Sequence, residues 1–424
     1  MTPVLHLTLR SVANRRFTTL LTLFSIALSV ALLLGVERLR HDAREAFTQT
    51  ISGTDLIVGA RSGPVQLMLY SVFHIGDATN DISASSLDAV GKHRAVRWVV
   101  PLALGDSHRG HRVVGTTEDF FVRYHFGDAK SLQFSRGRSF QTFPPGLYEA
   151  VIGAEVANRL GYALGQPITL AHGQGDASLA EHADKPFQVV GILARTGTPV
   201  DRSVFVRLEA IEAIHLDWMG GAPMPGLQFS AEETRKFDLR PKRVTAALVG
   251  LKTRAAVFQV QRFINDYKAE PLLAILPGAT LQDLWRLTEG MERSLLAISG
   301  LVVLVGLAGL IAVIVAGLGE RRRELAILRA LGAGPRDIFL LLSTESFLLT
   351  VGGCLMGVAL LTGVSAVLAP TLLAQYGVSL SIAWPTPLEG LWLAAVVSAG
   401  MLASIIPAWR AYSLSLTDGM SVKT

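Results

Sequence analysis

Cysteine is almost missing from this chain: Cys354 is the only one in 424 residues, and it sits inside an apolar run. A single thiol excludes an intramolecular disulfide and any Cys cluster for zinc or iron–sulfur chemistry. Charge is scarce too. Asp, Glu, Lys and Arg make up 17% of the residues against 50% apolar, and mean hydropathy is +0.41, too apolar for an ordinary soluble chain of this length. Catalytic signatures are also lacking. No stretch offers the Gly-x-x-x-x-Gly-Lys-Ser/Thr pattern that cradles phosphates, since Gly91-Lys92 is followed by His93. Nor is there a GxSxG, HExxH or Cys/His nucleophile pattern, so a membrane-bound hydrolase has little support and no catalytic residue is assigned. A net charge of +5 would suit nucleic acid if the basic residues clustered on a soluble domain. They flank apolar runs instead, which marks topology and argues against a nucleic-acid partner.

What the chain does have is four long apolar runs, at residues 17–36, 294–318, 338–368 and 388–409. Each reaches the roughly 20 residues needed to cross a hydrocarbon core about 30 Å thick. The first is preceded by basic residues, as a signal peptide is, but it is long for such a segment and no clean cleavage site closes it, so it is expected to stay as an anchor. Orientation follows from arginine. Arg10, Arg15 and Arg16 precede the first run, and Arg321, Arg322, Arg323, Arg329 and Arg336 lie in the 319–337 loop, whereas the 369–387 loop has neither Lys nor Arg. By the positive-inside rule, the amphipathic segment 1–16, the arginine loop and the tail 410–424 are cytoplasmic, and residues 37–293 lie on the far side of the membrane. The expected fold class is an α-helical membrane protein with four transmembrane helices plus an α+β extracytoplasmic domain inserted between helices 1 and 2.

At the edges of that inserted domain, ERLRHDAREAFTQT and LQDLWRLTEGMERSLL mix charge with apolar residues at three and four spacing, and read as helical stalks. Between them DLIVG, RWVVPLAL, HRVVGT, YEAVIG, PITLA, FQVVGIL and RSVFVRL read as strands, with helices over 154–160 and 257–268. Residues 197–241 are richer in Gly and Pro and are expected to form a second subdomain or insertion.

The arginine loop carries the most information. In GERRRELAILRALGAGPRDIF, Leu325, Leu328 and Leu331 fall at helical spacing, and Gly332, Gly334 and Pro335 end the helix. This is a short amphipathic helix at the cytoplasmic surface, and a basic loop bound to anionic headgroups would share its composition. The run ERRRELAILRALGAGPRDI resembles the hallmark of the MacB/FtsX permease family. SVANRRFTTLLTLFSIALSVALL resembles that family's first span, YEAVIGAEVANRLGYALGQPITL with FQVVGIL its periplasmic core domain, and PAWRAYSLSLTDGM its C-terminal end. Near the tail, where members often have Pro and a Leu-Arg pair, this chain has Leu416 and Gly419-Met420.

The resemblance implies a mechanotransmitting permease. Two copies pair as a homodimer, and each binds a separate cytoplasmic ABC ATPase that holds the ATP and magnesium, so the permease chain itself binds no cofactor. It also implies ATPase contact through Glu320, Arg323, Glu324, Leu328, Arg329 and Gly332. Export or extraction of a substrate is the leading function. The alternatives are an FtsX-like signalling scaffold acting on a periplasmic partner, and a metal-linked transport system. A periplasmic fusion protein, lipoprotein or binding protein is a further possible partner, alongside membrane lipid.

Weaker signals remain. Gly353 and Gly357 make a GxxxG pair, and Ala308, Ala312 and Ala316 a small-residue stripe, both suited to helix or dimer packing. Glu345 is an intramembrane carboxylate, read as an interfacial polar residue more readily than as a functional one. Histidines are scattered over 37–293. In His108-Arg109-Gly110-His111 a turn would bring two imidazoles together, and imidazole suits zinc or copper, so His108 and His111 are the candidates if a metal binds; none is assigned. The segment DLIVGARSGPVQLMLYSVFHIGDATNDI, dense in Gly and aromatics, is the best candidate for a partner or substrate surface.

Overall fold

The computed structural model describes residues 16–142, 145–172, 182–219, 222–224, 229–320, 327–328, 330–376, 383–406 and 409. The chain divides into two compact units, residues 44–288 with 376–378 and residues 1–43 with 289–375 and 379–424.

The first unit is built on one eleven-stranded mixed sheet. Nine strands form its path: β1 (Leu56–Ala60), β2 (Val96–His108), β3 (His111–Thr116), β4 (Phe134–Gly137), β5 (Glu149–Ile152), β6 (Phe187–Leu193), β7 (Ser203–Arg207), β8 (Ala246–Leu251) and β9 (Leu272–Ile275), in the order β9-β1-β8-β2-β3-β7-β5-β6-β4. The short strand Ala171–His172 joins β2, and Pro167–Ile168 joins β6. All the apolar runs expected to be strands lie in this sheet. The start of the 197–241 stretch enters it too, since β7 pairs with both β3 and β5, while Trp218–Met219 and Ala222–Pro223, further along that stretch, pair with each other in a separate two-stranded sheet.

Burial explains why these strands read as unbroken apolar runs. Ile57, Leu102, Val114, Val151, Phe205 and Leu248 enter one core on one face. Their immediate neighbours enter two other cores, Leu56, Val58, Ala247 and Val249 in one, and Val113, Ala150, Ile152, Val204 and Val206 in the second. Side chains alternate across a strand, so both faces of the sheet are covered. On the face with two cores, helix Val257–Asn265 covers one and helices Ala154–Leu160 and Leu208–His215 the other.

Close approach fixes several glycines. Gly153 caps helix Ala154–Leu160, and a Cβ there would stand 2.3 Å from the carbonyl oxygens of Val200 and Asp201. The segment expected to be a partner surface is divided: helix Pro64–Val72 buries Leu67, Met68 and Tyr70, whereas Ile75, Gly76 and Asp77 are exposed, with the Arg112 guanidinium bonding Asp77 Oδ1 at 2.9 Å and also the Gly76 carbonyl. His74, at φ 56°, contacts Ser203 Oγ at 2.8 Å. Burial, with Arg112 and Arg202 nearby, brings its pKa down to about 3.

The second unit holds most of the length of the apolar helices. Three are long and apolar enough to cross a membrane: α1 (Arg16–Gln49), α2 (Pro277–Glu320) and α3 (Pro335–Tyr376). The expected third span ended at 368, yet α3 continues across Pro370 to Tyr376. The fourth apolar helix, α4 (Pro387–Ala403), has 17 residues and is shorter than the other three. Ile26, Val30 and Leu34 of α1 pack with Leu307, Leu310 and Ile314 of α2, Leu342 and Leu349 of α3, and Val396 of α4.

A buried ion pair ties α1 to α4. Arg38 Nε and Nη2 donate to Glu389 Oε1 and Oε2 at 2.9 and 3.1 Å, with side-chain exposures of 7% and 2%. Glu389 also closes a capping box, accepting from the Thr386 N–H at 2.9 Å while Thr386 Oγ1 accepts from the Glu389 N–H at 3.2 Å. The carboxylate therefore both starts α4 and neutralises Arg38.

Three outcomes follow for the full-length chain in detergent. Gly153→Ala destabilises it by about 1–3 kcal/mol through overpacking against backbone, whereas Gly105→Ala, whose Cβ meets nothing within 4 Å, is near neutral in the same thermal melts. Arg38→Met or Glu389→Leu alone costs on the order of 3–5 kcal/mol by leaving a buried charge unpaired, and the double change to Met and Leu recovers most of that loss in a double-mutant cycle. His74 is held neutral, so its contribution is present above the unfolded pKa near 6.5 and lost as pH falls toward the folded value of about 3. Melts of His74→Asn, which keeps a residue tolerant of positive φ, show a pH slope between about pH 6 and 4 reduced by about 1.4 kcal/mol per unit.

Candidate functional site

The turn between α2 and α3 is set by its glycines. Leu331 N–H donates to the Ile327 carbonyl at 3.0 Å, Ala333 N–H to Leu328 at 2.9 Å, and Gly332 takes φ +96°, the left-handed conformation that ends a helix. Gly334 N–H then donates to Asp337 Oδ2 at 2.8 Å, and Pro335 opens α3. Ile327 is 60% exposed and Leu331 80%, so one helical turn carries two uncovered aliphatic side chains four residues apart. Of the residues assigned to ATPase contact, Glu320 ends α2, Leu328 is half-buried and Gly332 exposed, while Arg323, Glu324 and Arg329 lie outside the described residues.

The small residues of the spans divide into two sets. Gly353 and Gly357 face α1 of the same chain: a Cβ on Gly353 would meet Ile26 at 2.6 Å, and one on Gly357 the Ala27 carbonyl at 2.8 Å. That pair is occupied by packing within the chain. Ala308, Ala312 and Ala316 are exposed along α2. Glu345 is buried on α3 and engaged by its surroundings.

The two candidate metal histidines do adjoin each other. His108 and His111 face each other across the hairpin of β2 and β3, closed by Arg109 and Gly110 at φ 46° and 80°. Their ring nitrogens point elsewhere. His108 Nδ1 contacts the Thr169 carbonyl at 2.6 Å and Nε2 the Tyr162 hydroxyl at 2.9 Å, and His111 Nδ1 contacts the Arg202 carbonyl at 3.1 Å. The histidines that converge are His172, His182 and His215, together with Asp106. Contact with the Asp106 carboxylate holds His172 above the usual imidazole range, while burial lowers His215 and brings His182 down to about 4. No local spacing announces this group, since its members lie on four separate segments.

Comparison with known proteins places these parts. The MacB-like periplasmic core domain matches residues 19–264, more than half of the chain, and the FtsX-like permease C-terminal region matches residues 296–416. The pyoverdine export ATP-binding/permease protein PvdT of Pseudomonas aeruginosa is 29% identical over 279 residues, covering 62% of this chain and 36% of that protein. The macrolide export ATP-binding/permease protein MacB of Bdellovibrio bacteriovorus is 23% identical over 394 residues, covering 87% of this chain and 54% of that one. The chain thus spans between about a third and just over half of the length of these relatives. Among solved structures, the periplasmic region of MacB from Actinobacillus actinomycetemcomitans aligns with a TM-score of 0.33 at 11% identity, over 55% of this chain and 94% of that one. With a sheet domain and apolar helices in the order of both matched regions, the chain belongs to the MacB/FtsX family of ABC transporter permeases.

Proposed function

We propose that this chain is the permease subunit of an export or extraction complex in a bacterial inner membrane, coupling ATP hydrolysis by a separate ATPase to movement of its periplasmic domain. The observation that carries this reading is the exposed turn with Ile327 and Leu331, held in shape by Gly332 and flanked by two membrane-length helices. An apolar pair in an arginine-rich stretch of sequence is suited to a groove on a soluble partner, and such a turn would pass a displacement on to the helices at either end. In this reading Glu320, Arg323, Glu324, Leu328, Arg329 and Gly332 form the contact, and the ATPase alone binds ATP and magnesium.

The topology proposed is four spans with both termini cytoplasmic and residues 37–293 periplasmic. The helix α4 covers about 26 Å at 1.5 Å per residue, and residues 405, 406 and 409 are helical as well, which supports a fourth crossing. Only 28–39% of the most apolar window of α1, α2 and α3 is buried within the chain. Lipid and a second copy cover the remainder, with Ala308, Ala312 and Ala316 offering a close-approach stripe for that copy. Coupling then requires ATP and the periplasmic load to favour the same state of the dimer.

Charge reversal at Glu324 and Arg329 in the complex reconstituted with its ATPase tests the contact. Recovery of the ATPase with the permease, and its stimulated hydrolysis, are expected to fall at least about tenfold, which corresponds to about 1.4 kcal/mol of contact energy, while the melting temperature of the permease stays unchanged. Unchanged recovery and stimulation would remove this loop from the coupling path.

A further inference from the structure

The sheet has a cleft of about 270 Å³ lined by Asp81, Leu104, Asp106, His172, Glu212 and His215. It opens where β2 passes from pairing with β8 to pairing with β3, and there the β2–β3 register slips by one residue between Leu104 and Ser107. A bulge of this kind re-aims a side chain. Asp106 sits on it, buried, directly opposite His172 in the pairing of β2 with Ala171–His172. His215 comes from the end of helix Leu208–His215, and His182 from the segment leading into β6. A buried ion pair fixes these last two: Lys185 Nζ, three residues after His182, contacts both oxygens of Asp217, two residues after His215, at 2.9 and 3.0 Å. The folding core, not a local motif, brings the four groups together.

Their ring nitrogens are poorly matched to one another. A neutral imidazole has one N–H and one lone pair. His215 Nδ1 faces the Ile211 carbonyl at 2.7 Å, so it carries the proton and leaves a lone pair on Nε2. That Nε2 lies 2.8 Å from His172 Nε2, and the other nitrogen of His172 lies 3.0 Å from Asp106 Oδ1. Wherever a neutral His172 puts its hydrogen, one of the two contacts sets lone pair against lone pair. Beside them His182 is fully buried, with its ring 5.2 Å from those of His172 and His215 and 4.2 Å from Trp218, and neither of its ring nitrogens has a hydrogen-bond partner. Asp106 Oδ1 likewise lacks a hydrogen bond of its own.

We propose that Asp106, His172, His182 and His215 bind one first-row divalent metal ion, with zinc the best fit. One ligand atom from each lies within 4.8 Å of all the others. The closest separations, 2.8 and 3.0 Å, and the 3.8 Å between Asp106 Oδ1 and His215 Nε2, bracket the spacing of about 3.3 Å between ligand atoms around tetrahedral zinc. Three imidazoles and a carboxylate suit Zn²⁺ in donor type and number. A cation turns the opposed lone pairs from a repulsion into a coordination shell and gives His182 its missing partner. The carbonyl of Ile211 is the outer acceptor that metal-bound histidines ordinarily have, holding His215 in the required tautomer. The cleft leaves this group open to ions from solvent.

The full-length chain, purified in detergent with a tag free of histidine and stripped with chelator, is titrated with Zn²⁺ against a chromophoric competitor and with Co²⁺ in the visible region. The expected result is one Zn²⁺ per chain and the intense d–d bands of tetrahedral Co²⁺, with Zn²⁺ raising the melting temperature. His182→Ala, His215→Ala and Asp106→Asn each weaken binding at least about 100-fold, the scale on which metal sites lose affinity, and abolish the Zn²⁺-dependent rise in melting temperature. His93→Ala, in a different part of the sheet unit, leaves both intact. Substoichiometric Zn²⁺ on the unaltered chain overturns the proposal and assigns the cluster to a shared proton. Binding that survives in His182→Ala and His215→Ala overturns it as well, and so does an octahedral Co²⁺ spectrum. None of these readouts involves the ATPase, so they stand apart from the coupling test.

Discussion

With no disulfide available, the sheet unit is held by apolar contact on both faces of one sheet, and this two-sided burial constrains everything else in it. Ile57 and Val58, adjacent in sequence, enter different cores, as do Val113 with Val114 and Phe205 with Val206. Two buried cations there have carboxylate partners, Lys185 the buried Asp217 and Arg112 the exposed Asp77. Against that background the His182 ring, buried and unpartnered, stands out as a group waiting for a ligand.

The helical unit obeys a different rule. Small residues allow α3 to lie against α1 at Gly353 and Gly357, and Gly400 of α4 packs on Thr350 of α3. Hydroxyls are satisfied along their own helices, as Thr350 Oγ1 is by the Ser346 carbonyl at 2.7 Å. The Arg38–Glu389 contact buried in this packing is bidentate and shares its carboxylate with a helix cap. Removing water from a charged pair is tolerated only when geometry returns the lost hydration as hydrogen bonds. This pair returns two such bonds, with Arg38 Nη1 left without one, and links the first apolar helix to the start of the fourth.

Force transmission, as proposed, draws on both rules. In that proposal the part that is gripped is a turn with a left-handed glycine and two bare aliphatic side chains. The helices α1 and α2 are each unbroken, over 34 and 44 residues, so a displacement entering either one is not absorbed at a break. A metal ion in the cleft would pin the bulge of β2 to helix Leu208–His215 and stiffen the sheet unit.

Membrane character, strand positions and the glycine-terminated turn were all legible in the sequence, because each depends on local periodicity or on one residue's backbone preference. HRVVGT and FQVVGIL are strands over their full length, and helix Ala154–Leu160 has the expected ends. The GxxxG pair was visible, but its partner was not. Only packing shows that Gly353 and Gly357 are used by α1 while the alanine stripe stays open. The same limit hid Arg38 with Glu389, 351 residues apart, and the grouping of Asp106 with three histidines. Sequence neighbours drew attention to His108 and His111, whose nitrogens the fold spends on a tyrosine and on backbone carbonyls. Local pattern determines which segments become helix or strand and which must leave water. Which side chains then meet is decided by sheet order and register, and these depend on the simultaneous burial of every strand.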